Sequence, residues 1–302
     1  YIYISYEHQD HFQQETLKEF SKKIPIYICK FKTKRFYNEI KKLGFKNIIE
    51  LTSWKPEILT KDLEITSIQN PDLMFEDSAL LIKSSEGTVF CQTDCKMDFT
   101  SLKKVNAAKP DIGFFMYSVA NWYPDVYNYS KEKRDEIAKK RKLNKINGFV
   151  NYVDVIKPKF AVAYAGGPLF PHESQIKLND PILGVFGCPD EAKMAWNKSG
   201  KTGSEVVVMA ADDEIKIDGT HIKNKEPVLS TNKMDAIKEL SIEVQEDLNK
   251  RWKAEGDAST RLPNKIIDYF NKIISENPVA RKHIDMKVQL IAEGKNGGEF
   301  IL

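Results

Sequence analysis

The sequence predicts an α/β fold followed by a small α+β extension. Three observations carry this expectation. Short β-branched and aromatic runs alternate with stretches of helical period through roughly the first 220 residues. Hydrophobic residues make up 41% of the 302 and aromatics 11%, enough for a sizeable core. From about residue 224 the texture shifts to two long amphipathic helices and a hairpin pattern. The expected domains are therefore 1–225 and 226–302.

Residues 1–5, Tyr-Ile-Tyr-Ile-Ser, read as a buried strand. Residues 13–23 read as a helix, with Leu17 and Phe20 three apart. Residues 24–29 form the next strand, and 34–43 a helix stopped by Gly44. Residues 46–51 and 63–69 are strand-like, and 78–83 with 88–92 predict a hairpin across Ser85, Glu86 and Gly87. A strand at 112–117 precedes the longest helical stretch, 131–155. Its run Lys139, Lys140, Arg141, Lys142 is a solvated face, with contact to an anionic substrate as the functional alternative. A strand at 160–164 runs into Ala165, Gly166, Gly167 and Pro168, and 205–209 and 214–217 add two more. In the extension, Ile237, Leu240, Val244, Leu248 and Trp252 give 234–252 one apolar stripe. A second helix covers 264–275, and 286–291 with 299–302 predict a hairpin. The abrupt strand at Tyr1 and the apolar end read as the interior of a longer protein, with material preceding Tyr1.

Several classes are disfavoured at this level. Lys+Arg is 46 against Asp+Glu 43, a net charge of +3, which gives no reason to expect a nucleic-acid polymer as partner. No apolar run approaches the ~18–20 residues of a membrane span. No signal peptide is visible. Cys29, Cys91, Cys95 and Cys188 are too sparse for a disulfide framework and read as reduced, mostly buried thiols of a cytoplasmic protein. No glycine-rich phosphate loop is present, since Gly166-Gly167 precedes a proline and not a helix.

The chemistry concentrates in Ser5-Tyr6-Glu7-His8-Gln9-Asp10-His11, between a strand and a helix. Two imidazoles and a carboxylate within four residues on such a turn suit zinc or non-haem iron. Asp94 ends the strand at 88–92, and His172 follows the strand at 160–164.

This arrangement resembles the H-x-H-x-D-H signature of the metallo-β-lactamase superfamily. The resemblance implies an αββα sandwich, here lacking its N-terminal part, as the catalytic domain. It also implies Asp10, His11, Asp94 and His172 as metal ligands. Within the superfamily, residues 1–220 are most similar to the CMP-N-acetylneuraminate hydroxylase group. The carriers are Tyr1-Ile2-Tyr3-Ile4-Ser5, Ile24-Pro25-Ile26-Tyr27, Thr93-Asp94-Cys95, the basic helix before Lys157-Pro158-Lys159, and the spacing from Ala165-Gly166 to His172. Members of that group carry a Rieske iron–sulfur domain upstream and oxygenate the N-acetyl group of a nucleotide sugar at an iron site. A Rieske centre needs two Cys and two His at close spacing, and no such set exists here.

The departures shape the expected function. Tyr6 stands where the signature has its first histidine, and Asn70 where the middle histidine falls. The first of the superfamily's two metal sites thus keeps only His8, and the second keeps all four ligands. One metal ion is expected, iron in preference to zinc or manganese. The leading expectation is a mononuclear non-haem iron oxygenase acting on a small polar substrate, sugar-nucleotide or amide-bearing. Electrons come from an upstream Rieske [2Fe–2S] domain or an electron-donor protein. His8 serves as acid/base or further ligand. Tyr6 is a phenolate ligand or a packed aromatic. The alternatives are a hydrolase of phosphoester, lactone or amide, and a non-catalytic module with a degenerate site. Asp77 is a candidate to fix a loop or orient a ligand, and Glu173 to support His172. Asn121, Trp122 and Tyr123 are candidates to line the pocket. His221 and His283 read as ordinary surface histidines. Cys91 is expected in the core and Cys95 nearer the site.

Overall fold

The structure, a computed structural model, describes residues 1–72, 76–125, 127–255, 262–276, 287, 289–292 and 298–301. The chain divides into two compact units, Tyr1–Leu240 and Ser241–Leu302.

The first unit holds two sheets. Strands β1 (Ile2–Ile4), β2 (Ile26–Cys29) and β3 (Ile48–Leu51) form a parallel sheet in the order β1-β2-β3. The second sheet contains β4 (Glu57–Thr60), β5 (Leu63–Gln69), β6 (Ser78–Ser84), β7 (Thr88–Cys91), β8 (Ile112–Met116), β9 (Phe160–Tyr164) and β10 (Glu205–Val207), in the order β10-β9-β8-β7-β6-β5-β4. Strands β7 to β10 pair in parallel, and β4 to β7 antiparallel.

Strand alternation builds four layers from these sheets. Along β6, Ala79 and Leu81 face one way, and Leu80 and Ile82 the other. Leu80 and Ile65 meet Tyr27 and Leu51, so the two sheets pack face to face. Helices α1 (Gln14–Lys18) and α2 (Arg35–Lys42) cover the small sheet, with Leu17, Phe36 and Ile40 packed on Ile4, Ile26 and Ile28. Helices α3 (Phe99–Ala107), α4 (Lys131–Ile156) and α5 (Pro189–Lys198) cover the large sheet. Their Val105, Phe149, Val153, Ala192 and Trp196 bury Phe90, Phe115 and Ala161. The unit is an αββα sandwich. Beyond β10 lie a two-stranded hairpin, β11 (Glu214–Ile215) with β12 (His221–Ile222), and the start of α6 (Lys233–Glu255).

The second unit contains the rest of α6, α7 (Leu262–Glu276), and the antiparallel strands β13 (Gln289–Ala292) and β14 (Gly298–Ile301). Most of the turn assigned to this hairpin, and His283, lie outside the described residues. The unit division falls inside α6, not at a linker.

Some expectations change. The helix expected over 13–23 closes after Lys18, because Glu19 already caps it and the chain must turn into Pro25. Helix α3 leaves little trace in the sequence because only Ser101, Leu102 and Val105 are buried, too few to print a helical stripe. Its start was marked by Asp98, whose carboxylate accepts from the Ser101 amide at 2.7 Å. Helix α5 begins with Pro189 behind Cys188, in a capping box with Glu191. Among the described residues, no helix is long and apolar enough to cross a membrane.

Candidate metal centre

The C-terminal ends of β1, β7, β8 and β9 converge at one edge of the sandwich, where α/β sheets gather ligands. The loop after β1 brings Tyr6, His8, Asp10 and His11. It is a tight turn, with the His11 and Phe12 amides donating to the His8 carbonyl at 2.9 and 2.7 Å. Phe12 anchors it in the core.

Asp94 is aimed by strain. Thr93 adopts φ +55°, an unfavourable conformation for a β-branched residue. Its hydroxyl compensates by donating to the Ser78 and Gln92 carbonyls at 2.7 and 2.6 Å. The Gln92 side chain receives the Met116 amide at 3.3 Å and donates to the Cys95 carbonyl at 3.2 Å, fixing this turn against β8.

Asp10, His11 and Asp94 each offer one ligand atom, and these atoms lie within 4.8 Å of one another. His11 Nε2 is 3.6 Å from Asp10 Oδ2 and 3.7 Å from Asp94 Oδ2. On the far side of the ring, Nδ1 lies 2.9 Å from the Ser5 hydroxyl, which turns Nε2 toward the carboxylates. Ser5 is held in turn, its carbonyl accepting from Ser78 at 2.7 Å, and Ser78 bonds Tyr3 at 2.8 Å. This chain of hydroxyls ties the two sheets together beneath Asp10, His11 and Asp94.

Burial alone pulls the His11 imidazolium down, but Asp94, Asp10 and Asp77 overcome it and hold its pKa above the ordinary histidine value. Burial pushes the Asp94 carboxyl up, yet His11, Tyr6 and Lys145 together hold it below the usual carboxylate value. For Asp77 the Ser78 amide, His11 and Lys96 pull the same way but are outweighed. Asp77 is 7% exposed, its Oδ1 has no hydrogen-bond partner, and burial and then the charge of Asp94 push it up to about 7.

The structure places Tyr6 beside Asp94. Its ring is 4% exposed, its hydroxyl donates to Asp94 Oδ2 at 2.5 Å, and it packs 4.5 Å from His8 and 4.3 Å from His11, centroid to centroid. Burial and the Asp94 carboxylate both drive its pKa far above the ordinary phenol value, so the proton stays on oxygen. The phenol spends its polar atom on Asp94. Tyr6→Phe is expected to cost about 1–3 kcal/mol of stability, measured by denaturant unfolding, and to weaken metal binding through the lost hold on Asp94 and not through loss of a ligand. An iron-loaded wild-type chain lacking a phenolate-to-iron charge-transfer band checks the same point.

His8 is exposed, outside the three-residue cluster, and faces a second cleft of about 560 Å³ with Tyr6, Asn70, Asp77 and Lys96. His172, expected as a ligand, is likewise not brought into the cluster. The loop beyond β9 lines the cleft through Ala165, Gly166 and Pro168 and then turns on itself. Asn179 pairs with the Phe170 backbone through two bonds of 2.8 Å, and the His172 carbonyl accepts from Gln175 at 2.9 Å, opening a 3-10 turn at Glu173–Asn179. Glu173 begins that turn. The Gly166-Gly167 pair serves close approach: a Cβ at Gly166 would sit 2.5 Å from the Tyr117 hydroxyl, and one at Gly167 2.5 Å from the Phe186 ring.

A cleft of about 480 Å³ opens over Asp10, His11 and Asp94, bounded by Met116, Trp122 and Tyr164. Trp122 lines it as expected, whereas Asn121 accepts from Arg141 at 3.0 Å and Tyr123 lies beneath that guanidinium. Cys91 packs against the core between the sheets as expected, and only the Cys95 expectation fails. Cys95 is fully buried, its thiol pointing to the Ile68 carbonyl at 3.6 Å, and Cys91 is half-buried. The left-handed turn at Thr93 breaks strand alternation between them. His221 pairs with Asp213 at 3.0 Å, far from an unpartnered surface histidine.

No family model matches the sequence. Curated relatives named Rieske 2Fe-2S iron–sulfur protein, from Mycobacterium tuberculosis, are 27% identical over 187 residues, 60% of this chain. A counterpart in Mycolicibacterium smegmatis is 25% identical over the same length. The chain spans 36% of the length of these relatives. Among solved structures, isothiocyanate hydrolase from Delia radicum gut bacteria is similar at TM-score 0.46 and 16% identity, covering 74% of this chain and 76% of that one. A CmlA β-hydroxylase variant is similar at TM-score 0.46 and 18% identity, covering 68% and 42%. The metallo-β-lactamase-fold protein YhfI from Bacillus subtilis is similar at 0.43 and 14%, covering 74% and 76%. The chain is a mixed α/β protein, and metallo-β-lactamase-fold proteins are among its structural neighbours.

Proposed function

We propose that the chain forms the catalytic domain of a mononuclear non-haem iron oxygenase acting on a small polar substrate. Asp10, His11 and Asp94 hold the ion. One observation supports this above the others: three ligand atoms lie within 4.8 Å, while the neighbouring position is closed by Tyr6, bonded to Asp94 at 2.5 Å. One imidazole and two carboxylates fit an N/O-preferring divalent ion, with iron, manganese and zinc all compatible. Bound there, iron supplies oxygen activation, with electrons delivered from outside this chain. The relatives named as Rieske proteins favour a [2Fe–2S] domain or a separate donor protein as that source.

The chain's own residues set the conditions. Ser5 fixes the His11 ring and Tyr6 fixes Asp94, so both ligands are oriented before any ion binds. Trp122 and Tyr164 give the cleft aromatic walls on which a base or sugar stacks. His8 lies one ring from Tyr6, where it can exchange protons with the cleft of Asn70 and Asp77.

A second reading is a metal-dependent hydrolase, favoured by the excess of carboxylate over imidazole in the cluster. Elemental analysis of chain purified without added metal separates the two. One iron per chain, with substrate-dependent oxygen uptake, is the expected result. Two zinc ions per chain overturns the oxygenase reading.

Metal uptake also carries a proton signature. His11 must surrender its proton to bind, and its pKa lies above the ordinary value in the free site. Affinity is therefore expected to rise with pH through the neutral range. Calorimetry in two buffers of different ionisation enthalpy should show about one proton released per ion near pH 6.

A further inference from the structure

We propose that Lys145 anchors an anionic oxygen group of the substrate, a carboxylate or a phosphate, at the edge of the cleft over Asp94. The inference rests on the proposed metal reading and deepens it by naming a substrate class.

The neighbouring cations on α4 are committed to structure. The Arg141 guanidinium donates to Asn121 Oδ1 at 3.0 Å and to the Tyr123 carbonyl, holding the loop that carries Trp122. The Lys142 ammonium is buried, donates to the Pro181 carbonyl at 2.6 Å and lies 3.0 Å from Glu191. Lys145, one turn beyond Arg141 on the same face, has a different environment. It is half-buried, and its ammonium rests 3.4 Å from the thioether sulfur of Met116, a weak acceptor. Met116 lines the cleft together with Asp10, His11 and Asp94.

A partly desolvated ammonium with three donors and a sulfur for a neighbour calls for an oxygen partner. Among the described residues no carboxylate lies within 4.0 Å of it. Asp94 acts on it from farther away, and Lys96 and Arg141 add like charge from nearby. Asp94 is already engaged by Tyr6 and His11. A divalent ion held by Asp10 and Asp94 would neutralise both carboxylates. Lys145, Lys96 and Arg141 would then leave this side of the cleft positive, a field that selects anions. The exposed run around Lys139 and Lys140 faces solvent and supplies no such pocket.

The test is calorimetric titration of the zinc-loaded chain with inorganic phosphate and, separately, with acetate. At least one anion should bind. Lys145→Met should weaken that binding at least tenfold, Lys145→Arg by less than threefold, and Lys139→Met should leave it unchanged. A stronger response to phosphate assigns a phosphate ester, and a stronger response to acetate a carboxylic acid. Equal affinity in Lys145→Met, or no binding of either anion to the wild-type chain, overturns the proposal. Zinc content is measured in the same samples and should not change in Lys145→Met. A chain that takes up no zinc strikes the metal reading instead, and the same comparison on metal-free protein then decides the role of Lys145.

Discussion

Replacing His11 with alanine is expected to reduce bound metal per chain at least tenfold. His11 contributes the one imidazole of the cluster, and its Nε2 sits 3.6 and 3.7 Å from the two carboxylates. Removing a neighbour that merely orients a ligand typically costs 10–100-fold in metal affinity, and removing the ligand costs at least as much. The fold should survive, because the packing of this turn resides in Phe12 and its hydrogen bonds run through the His8 carbonyl. In metal-free protein the imidazolium also relieves Asp10 and Asp94. Its pKa is raised in the fold, so that stabilisation is complete below the ordinary histidine value and disappears as pH rises through the folded value. His11→Ala should therefore melt below wild type in acid and converge with it at alkaline pH. Unchanged metal content in the variant would sink the ligand assignment.

Asp77→Asn is expected to stabilise the metal-free chain at pH 8 by about 1–3 kcal/mol, several degrees in a thermal melt. Burial and Asp94 push the Asp77 carboxyl from 3.8 to about 7, and its Oδ1 has no partner. The raised pKa means that the ionised form is penalised in the fold. That penalty is absent below about 3.8, grows between the two values and is complete above about 7. An amide isostere escapes it, at the smaller cost of its own buried polar atoms. The two melts should separate at pH 8 and coincide near pH 4. A pH-independent difference would contradict this account. Bound metal changes the balance, since a cation beside Asp94 removes much of the repulsion. The same substitution is therefore expected to lower metal affinity severalfold, a trade of stability for charge at a functional site.

Much of this architecture is written in local pattern. The strand at 1–5, the hairpin of β6 and β7, the parallel strands β8 and β9 and the long α4 all follow from alternation, helical period and glycine stops, signals that need no distant partner. The short spacing of Asp10 and His11 after one strand marks them as donors, the family resemblance adds Asp94, and the fold does bring these three together. Other positions depend on contacts the linear pattern does not carry. Thr93 reads as an ordinary strand end, yet its left-handed turn sends Cys95 into the core and aims Asp94. Asp77 reads as a loop residue and becomes a buried carboxyl with an orphaned oxygen, because β5 and β7 close around it.

The sequence by itself determined that this is an α/β protein with a histidine–carboxylate run after its first strand, since residue identity alone decides which donors exist. Only the tertiary structure decided which donors meet. It joined Asp10, His11 and Asp94, put the Tyr6 hydroxyl on Asp94, kept His172 out of that cluster, and set Lys145 against Met116 at the cleft. The physical reason is range. Periodicity reports which face of an element is buried, whereas ligation depends on distances of a few ångströms between strand ends far apart in the chain, fixed by how the two sheets stack.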